Sequence, residues 1–280
     1  LDAQLRPIPL QGLQLGVGQG AADQREHAFH LGGRECAAAL GKGIRMPDTS
    51  YTEGTGHISD YVDVTVEDSD LCERYIARAV KNAKIGPSPK WLRDRLTSAG
   101  VRSINNIVDI TNFVMLELGQ PMHAFDYKDI RGGRIVVRRA RQDETIVTLD
   151  GKERALTPDM LLICDAEGPI GIAGVMGGEN SEIKPDTVTV IFESAKFRQG
   201  SVRRTSRALG LQTESAMRFS KGIDAAGCKM AMDRALHLVQ LLGAGEIVPG
   251  EIDIVSADLS PKTVRVSAER INTKLGTSLS

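Results

Sequence analysis

The stretch Arg134-Ile135-Val136-Val137-Arg138-Arg139-Ala140-Arg141, followed by Glu144-Thr145-Ile146-Val147-Thr148-Leu149, Asp150-Gly151 and Lys152-Glu153-Arg154-Ala155-Leu156, decides the fold class. Two β-rich runs and a third short one follow one another, and Asp150-Gly151 is the dipeptide of a tight hairpin turn. Strands in immediate succession do not fit a strict βαβ repeat, in which each strand is followed by a crossover helix. Outward from this core, Tyr61–Val66 alternates with period two and predicts a strand, and a second strand is expected around Tyr75–Ile85. Ser88-Pro89 opens a helix carrying Trp91, Leu92 and Leu96 on one face and closed by Gly100. Asn105 to Leu118 is a second helix, stopped by Gly119. Met160–Cys164 and Thr187–Phe192 read as buried strands flanking the glycine-rich segment Gly168–Gly178. Gln199–Leu209 is a helix ended by Gly210; Asp224 caps a longer one, apolar at Cys228, Ala231, Ala235, Leu238 and Leu242. Strands come in groups with helices between them, which gives an α+β fold with mixed and antiparallel sheets packed by helices.

Composition narrows the function classes. With 280 residues, 41% of them hydrophobic and 25% charged, the chain has the means to bury a core and is not dominated by disorder. Lys and Arg total 35 against 36 acids, so there is no global basic footprint, and any RNA contact must come from a local patch. No apolar run approaches the roughly 18 residues of a membrane span. No signal peptide is visible, and Cys36, Cys72, Cys164 and Cys228 are scattered without a CxxC pair, so a cytoplasmic protein without disulfides or a structural metal is expected. The first residue is Leu1 and the last run is Thr277-Ser278-Leu279-Ser280, which reads as a piece of a longer protein. The organisation expected is a lead-in over residues 1–55, a central domain over 56–255, and a linker with the start of another domain over 256–280. Gly16-Val17-Gly18-Gln19-Gly20 follows no convincing strand and is not read as a dinucleotide loop.

Five features carry candidate chemistry, each with a plain structural alternative. Asn105, Asp109 and Asn112 form a polar stripe on an otherwise apolar helix: either a water-facing strip, or one that faces a pocket or organises a neighbouring loop. The loop Gly119–Asp126 holds His123, a satisfied structural histidine or a catalytic one, with Asp126 three residues on and able to orient its ring. Gly171–Glu179 lacks the Lys-Ser/Thr of a P-loop; its glycines serve packing or the close approach of a ligand. Glu193 ends an apolar strand and is either solvated there or costly unless paired or facing a ligand. From Ala195 to Lys221 seven basic residues, Arg203, Arg204 and Arg207 among them, face one acid, Glu214: a solvated face, or a surface dense enough to hold a phosphate backbone.

In this order the segments form a pattern. Val101–Asn105, Asp109–Met115, Glu117–Asp126, Leu149-Asp150-Gly151, Ala173–Glu179, Phe192–Ala195 and Arg218–Asp224 resemble the central editing domain of the β subunit of bacterial phenylalanyl-tRNA synthetase, over residues 58 to about 255. The tail Val264–Ser280 resembles the opening of that family's next domain. The N-terminal stretch departs from it: Leu5-Arg6-Pro7-Ile8-Pro9-Leu10 stands near the family's usual Thr-Pro-Asn-Arg, and only Ala37–Met46 looks familiar again. The resemblance implies a subunit of a ligase that works with tRNA(Phe) and an α subunit as a heterotetramer of two of each. ATP and magnesium would serve the full enzyme at the α subunit's site, with no cofactor needed in this portion.

The same resemblance implies that the domain hydrolyses tyrosine wrongly esterified to tRNA(Phe). A pocket for phenylalanine rejects an added hydroxyl only by roughly a hundredfold, whereas a site that hydrogen-bonds the hydroxyl rejects the analogue lacking it by about 10⁴ or more. By motif position Glu193 would accept the tyrosine hydroxyl, beside the Gly174 and Gly177 backbone, and His123 would position or polarise the attacking water. Arg102, Thr111, Asn112 and Thr213 would line the pocket, and Ser215 stands where the family usually has Ala, which would alter discrimination against phenylalanine. Two other readings stay open: a non-catalytic piece binding tRNA or the α subunit, and a generic amino-acid-binding module.

Overall fold

A computed structural model describes residues 36–260, 263 and 265–278. The expectations for residues 1–35, including the glycine run Gly16–Gly20, lie outside the described residues. In chain order the elements are β1 (Asp63–Val66), β2 (Cys72–Lys81), α1 (Lys90–Ser98), α2 (Asn106–Leu118) and β3 (Met122–Asp126). Then come β4 (Arg134–Arg139), β5 (Thr145–Val147), β6 (Glu153–Ala155), β7 (Leu161–Cys164), β8 (Pro169–Ile172), β9 (Met176–Gly177) and β10 (Val190–Phe197). The chain continues through α3 (Gln199–Leu209), α4 (Glu214–Lys221), α5 (Gly227–Leu241), β11 (Glu246–Ile247), β12 (Ile252–Val255) and α6 (Ala268–Leu275). None of the helices is long and apolar enough to cross a membrane among the described residues.

The fold is α+β. One five-stranded sheet runs β1-β4-β7-β8-β9, parallel only at β1–β4. A second, fully antiparallel, runs β11-β2-β10-β3, with β12 also pairing with β2. The hairpin read at Asp150-Gly151 joins β5 to β6. Alternation along the second sheet separates two cores. Ile76, Val80, Ala124, Val190 and Phe192 point to a layer of α1, α2 and α5, while Tyr75, Ala77, Phe125, Ile191 and Ala195 point to the first sheet. The result is three layers, helices on sheet on sheet, with one apolar core in each gap.

Local chemistry fixes the elements that reach the site. Asn105 caps α2 by accepting from the Val108 N–H, and Gly119 closes it at φ 77°, a left-handed value that costs a residue with a Cβ. Asp109 is fully buried on this helix and accepts from Ser88 Oγ at 2.6 Å, Ser103 Oγ at 2.5 Å and the Ile104 N–H at 2.8 Å. Of the two readings of the polar stripe, then, the water-facing one fails at Asp109: it ties the 88–104 connection to the helix, where three donors offset the cost of burying a carboxylate.

Three expectations are corrected. The strand anticipated at Thr187–Phe192 runs instead from Val190 to Phe197, because β10 lies between β2 and β3 and keeps pairing through both neighbours. Residues 122–126, read as loop, form β3, the strand edging that sheet, since their backbone pairs with residues 190–194. Asp224 does not cap α5 directly: the helix begins at Gly227, and Asp224 Oδ1 accepts from the Ala226 N–H two residues earlier in the turn. On α1, Leu92 and Leu96 are buried, but Trp91 is 37% exposed and lies edge-on to Phe113.

Candidate active site between the two sheets

A cavity of about 260 Å³ opens where the edge of the second sheet meets the β8–β9 turn and the start of α4. Met115, Met122, Phe125, Leu149 and Ile163 give it apolar walls, and Thr111 and Asn112 reach it from the second turn of α2. Its size suits a ligand smaller than the drug-sized molecules that fill pockets of about 300–1,000 Å³.

Glu193 and His123 meet here because they are directly paired across the β10–β3 ladder, and so point to the same face. Glu193 lies at the fourth position of an eight-residue strand and is 7% exposed, which removes the strand-end reading of its carboxylate. Its Oε2 accepts from the Tyr75 hydroxyl at 2.9 Å, and Oε1 has no partner among the described residues. Burial pushes the Glu193 carboxyl up to about 7, against the lowering effect of the Tyr75 hydrogen bond. His123 Nε2 is buried without a hydrogen-bond partner among the described residues, and its ring stands edge-on to Phe125 at 4.5 Å. Burial brings its imidazole down to about 4, so the ring is neutral at pH 7.

Asp126 does not orient that ring. It accepts instead from Thr187 Oγ1 at 2.6 Å and from the Lys128 N–H, because side chains three apart on a strand point to opposite faces. What fixes the imidazole is backbone. A Cβ on Gly177 would lie 2.6 Å from His123 Cε1 and 2.9 Å from Nε2, so only glycine lets β9 lie against the ring. Gly174 turns at φ 70° beside Phe197 and Phe219. The Gly174–Val175 turn is pinned to the start of α4: Ser215 Oγ donates to Gly174 O at 3.1 Å and Thr213 Oγ1 to Val175 O at 2.8 Å. Thr213 also caps α4 by accepting from the Ala216 N–H. Both hydroxyl protons are therefore committed to the loop rather than to the cavity.

Of the residues singled out from sequence, Thr111, Asn112, His123, Gly174, Gly177, Glu193, Thr213 and Ser215 all line this one cavity. Arg102 does not; it is exposed beside Lys90 and Arg93 in a separate open groove at the end of α1. Arg203, Arg204 and Arg207 are exposed on α3, and none makes a salt bridge among the described residues, whereas Lys196 and Arg218 of the same basic segment pair with Glu73 and Glu214. Sequence reasoning missed Tyr75, taken only as part of a strand; its one site-related signal, a hydroxyl in a core register, is silent about a partner 118 residues away. Cys72, Cys164 and Cys228 are buried and line no part of the cavity. The arrangement can bind an apolar body whose polar end meets Glu193 Oε1, and it offers a neutral imidazole nitrogen to a water or an acyl group.

Comparison with known proteins follows the same segments. The B3/4 domain family matches residues 71–244. The phenylalanine–tRNA ligase β subunit of Moorella thermoacetica is 49% identical over 246 residues, covering 88% of this chain and 31% of that one. The same subunit of Syntrophus aciditrophicus is 47% identical over 252 residues, again 88% of this chain and 31% of that one. That of Bacillus licheniformis is 40% identical over 284 residues, covering 100% of this chain and 35% of that one. This chain thus spans about a third of the length of the curated relatives it matches. Among solved structures, an N-terminal fragment of the phenylalanyl-tRNA synthetase β subunit from Pyrococcus horikoshii overlaps loosely, with a TM-score of 0.43, 16% identity, and coverage of 84% of this chain and 64% of that one.

Proposed function

This chain belongs to the B3/4 domain family, and from that premise we propose that it is the proofreading portion of a phenylalanine–tRNA ligase β subunit, hydrolysing tyrosine misattached to tRNA(Phe). The observation that carries the reading is Glu193: a buried carboxyl with one oxygen held by Tyr75 and the other uncommitted among the described residues, directly beside His123 in a cavity with largely apolar walls. A phenol hydroxyl donating to Oε1 completes the shell of that carboxyl. A phenylalanyl ring leaves it unpaired, at a desolvation cost that an ion bears far more heavily than a neutral group. Tyrosine is the larger of the two, so size exclusion cannot select it, and a site built to bond its hydroxyl is what can refuse phenylalanine.

An aminoacyl ester is already activated, so the chemistry asked of the protein is modest. With the side chain's hydroxyl on Glu193, the ester carbonyl is taken to lie within reach of the His123 ring in the same cavity. A neutral imidazole there accepts a hydrogen bond from the attacking water and takes its proton as the tetrahedral intermediate forms, then returns it to the ribose oxygen as the ester C–O bond breaks, releasing tyrosine and the tRNA hydroxyl. Thr111 and Asn112 line the same cavity and are placed to hold the acyl group. Ser215, by holding the Gly174 carbonyl, stiffens the wall opposite and sets how closely the ring is gripped. The ATP- and magnesium-dependent synthesis belongs in this reading to the α subunit, with both subunits assembled in the cytoplasm.

A second role in the same reading is RNA docking. Arg203, Arg204 and Arg207 present an exposed basic face on α3 that makes no salt bridge among the described residues, Arg203 donating to the Ser220 carbonyl; α3 packs against α4 at the cavity wall, and this favours the tRNA backbone as its partner. The decisive experiment is deacylation of tyrosyl-tRNA(Phe) and phenylalanyl-tRNA(Phe) by ligase assembled with this β chain. Tyrosine-selective hydrolysis that His123→Ala and Glu193→Ala each abolish is expected. Intact hydrolysis in both variants would sink the assignment, and salt-sensitive tRNA binding with no hydrolysis would leave the chain as a binding piece.

A further inference from the structure

We propose that Tyr75 is a specificity-determining, positioning residue of this site: by clamping Glu193 Oε2 it keeps Oε1 aimed at the ligand as an acceptor, and so sets how strongly a ring without a hydroxyl is refused. The inference rests on the esterase reading above and adds to it a residue outside the cavity lining.

Tyr75 is 0% exposed, in β2, on the same side of the sheet as Glu193. The pairing register sets Glu193 opposite Ala77 and Ala195 opposite Tyr75, so the phenol reaches Glu193 on the diagonal, past the small Ala77. Its hydroxyl is the single hydrogen-bond partner that the described residues give this carboxyl. The titratable groups around Glu193 come from each element packed against it: Tyr75 and Cys72 from β2, His123 from β3, and Glu214 at the cavity mouth from α4. None of these is a cation at pH 7. Burial and the neighbouring Glu193 push the Cys72 thiol well above its ordinary range, and the His123 ring is neutral. With no positive charge at hand, the Tyr75 hydrogen bond is what favours the ionised form against desolvation.

The state of the acid matters for selection. A neutral carboxylic acid left facing an apolar ring loses one hydrogen bond; a carboxylate left facing it is a buried, half-solvated ion and costs far more. Both states hold a phenol, one by accepting and the other by donating. A residue that biases Glu193 toward the carboxylate therefore acts mainly against phenylalanyl substrate, and by fixing one oxygen it also keeps the other aimed at the ligand.

Tyr75→Phe removes only the hydroxyl and keeps the buried ring. In the assembled ligase, hydrolysis of phenylalanyl-tRNA(Phe) is expected to rise about tenfold in kcat/KM, mostly through a lower KM, the scale of one hydrogen bond to a charged group. The change with tyrosyl-tRNA(Phe) is smaller, so the tyrosine-to-phenylalanine ratio falls. The pH at which that ratio reaches half its maximum moves upward, and ¹³C-labelled glutamate resonances titrate to match without substrate. Tyr75→Phe placed in Glu193→Gln changes the ratio no further. An unchanged ratio and pH midpoint in Tyr75→Phe, with the wild-type enzyme still discriminating, overturns the role of Tyr75 and leaves the esterase reading standing. A wild-type enzyme that hydrolyses neither ester overturns both.

Discussion

The two faces of the β11-β2-β10-β3 sheet are made by the same strands and do opposite work. Toward the helices, Ile76, Val80, Val190 and Phe192 meet α1, α2 and α5 in an apolar gap. Toward the other sheet, one residue along each strand, Tyr75, Glu193 and His123 put three polar side chains into a gap otherwise as apolar. On the helix face the buried Arg78 is held by the Tyr51 hydroxyl and Glu53, only its Nε lacking a partner among the described residues. On the sheet face the uncommitted polar atoms meet a cavity: among the described residues His123 Nε2 has no partner and Glu193 has one for its two oxygens. Stability and chemistry are thus separated by a period of two, and residues next to each other in sequence answer to different demands.

The largest break in this comparison comes from the helix face. Phe192→Ala empties a fully buried site and should cost about 3–5 kcal/mol in urea unfolding, at every pH where the protein folds. The adjacent Glu193→Gln should do the reverse. An unfolded glutamate ionises near pH 4.5 and the folded one near 7, so the folded state holds the extra proton between them and loses stability as pH rises through that window. Removing the charge therefore gains about 2–3 kcal/mol at pH 8, almost nothing at pH 4, and abolishes selective deacylation. His123 carries the opposite sign, since it protonates near 6.5 unfolded but near 4 folded, and acidification through that interval destabilises it. The two slopes offset in the wild type between about pH 4.5 and 6.5; Glu193→Gln should expose the histidine's slope alone, measured as unfolding midpoint against pH.

A smaller effect is expected at Gly177→Ala. The added methyl meets the imidazole, costs about 1–3 kcal/mol by overpacking, and lowers kcat for tyrosyl-tRNA(Phe) with little change in KM, because it meets His123 and Leu149 rather than Glu193. Smallest for the fold is charge reversal of Arg203, Arg204 and Arg207, each within about 0.5 kcal/mol. Its signature lies in RNA binding, with weaker affinity and a shallower dependence on salt.

How far the sequence foretold these two faces follows the range of the forces involved. Helix α2 was legible because its signals are local: an Asn cap, an apolar run and a stopping Gly119 within fifteen positions. Strand β3 was not, because Pro121-Met122-His123 carries no strand pattern of its own and becomes a strand only by pairing with β10. Glu193 stood out as a carboxylate in an apolar strand, yet its burial depends on β10 running five residues beyond the Phe192 end expected for it. The residues lining the cavity came from resemblance rather than periodicity, and Arg102, named the same way, lies in another groove. Tyr75 and the reassignment of Asp126 needed the register of three strands, which no local pattern encodes.

The position of β2 has a consequence for how the protein comes into being. It is the hub of its sheet, pairing with β10, β11 and β12, all of which follow it by more than a hundred residues. During synthesis β2 emerges early with both edges bare, and such non-local pairing is slow and open to aggregation until its partners arrive. Glu193 meets neither Tyr75 nor His123 before β10 docks, so a nascent chain carries no half-built pocket able to hydrolyse the wrong ester. Charge burial and strand docking are one event, and the same event closes the edges that would otherwise recruit a second chain.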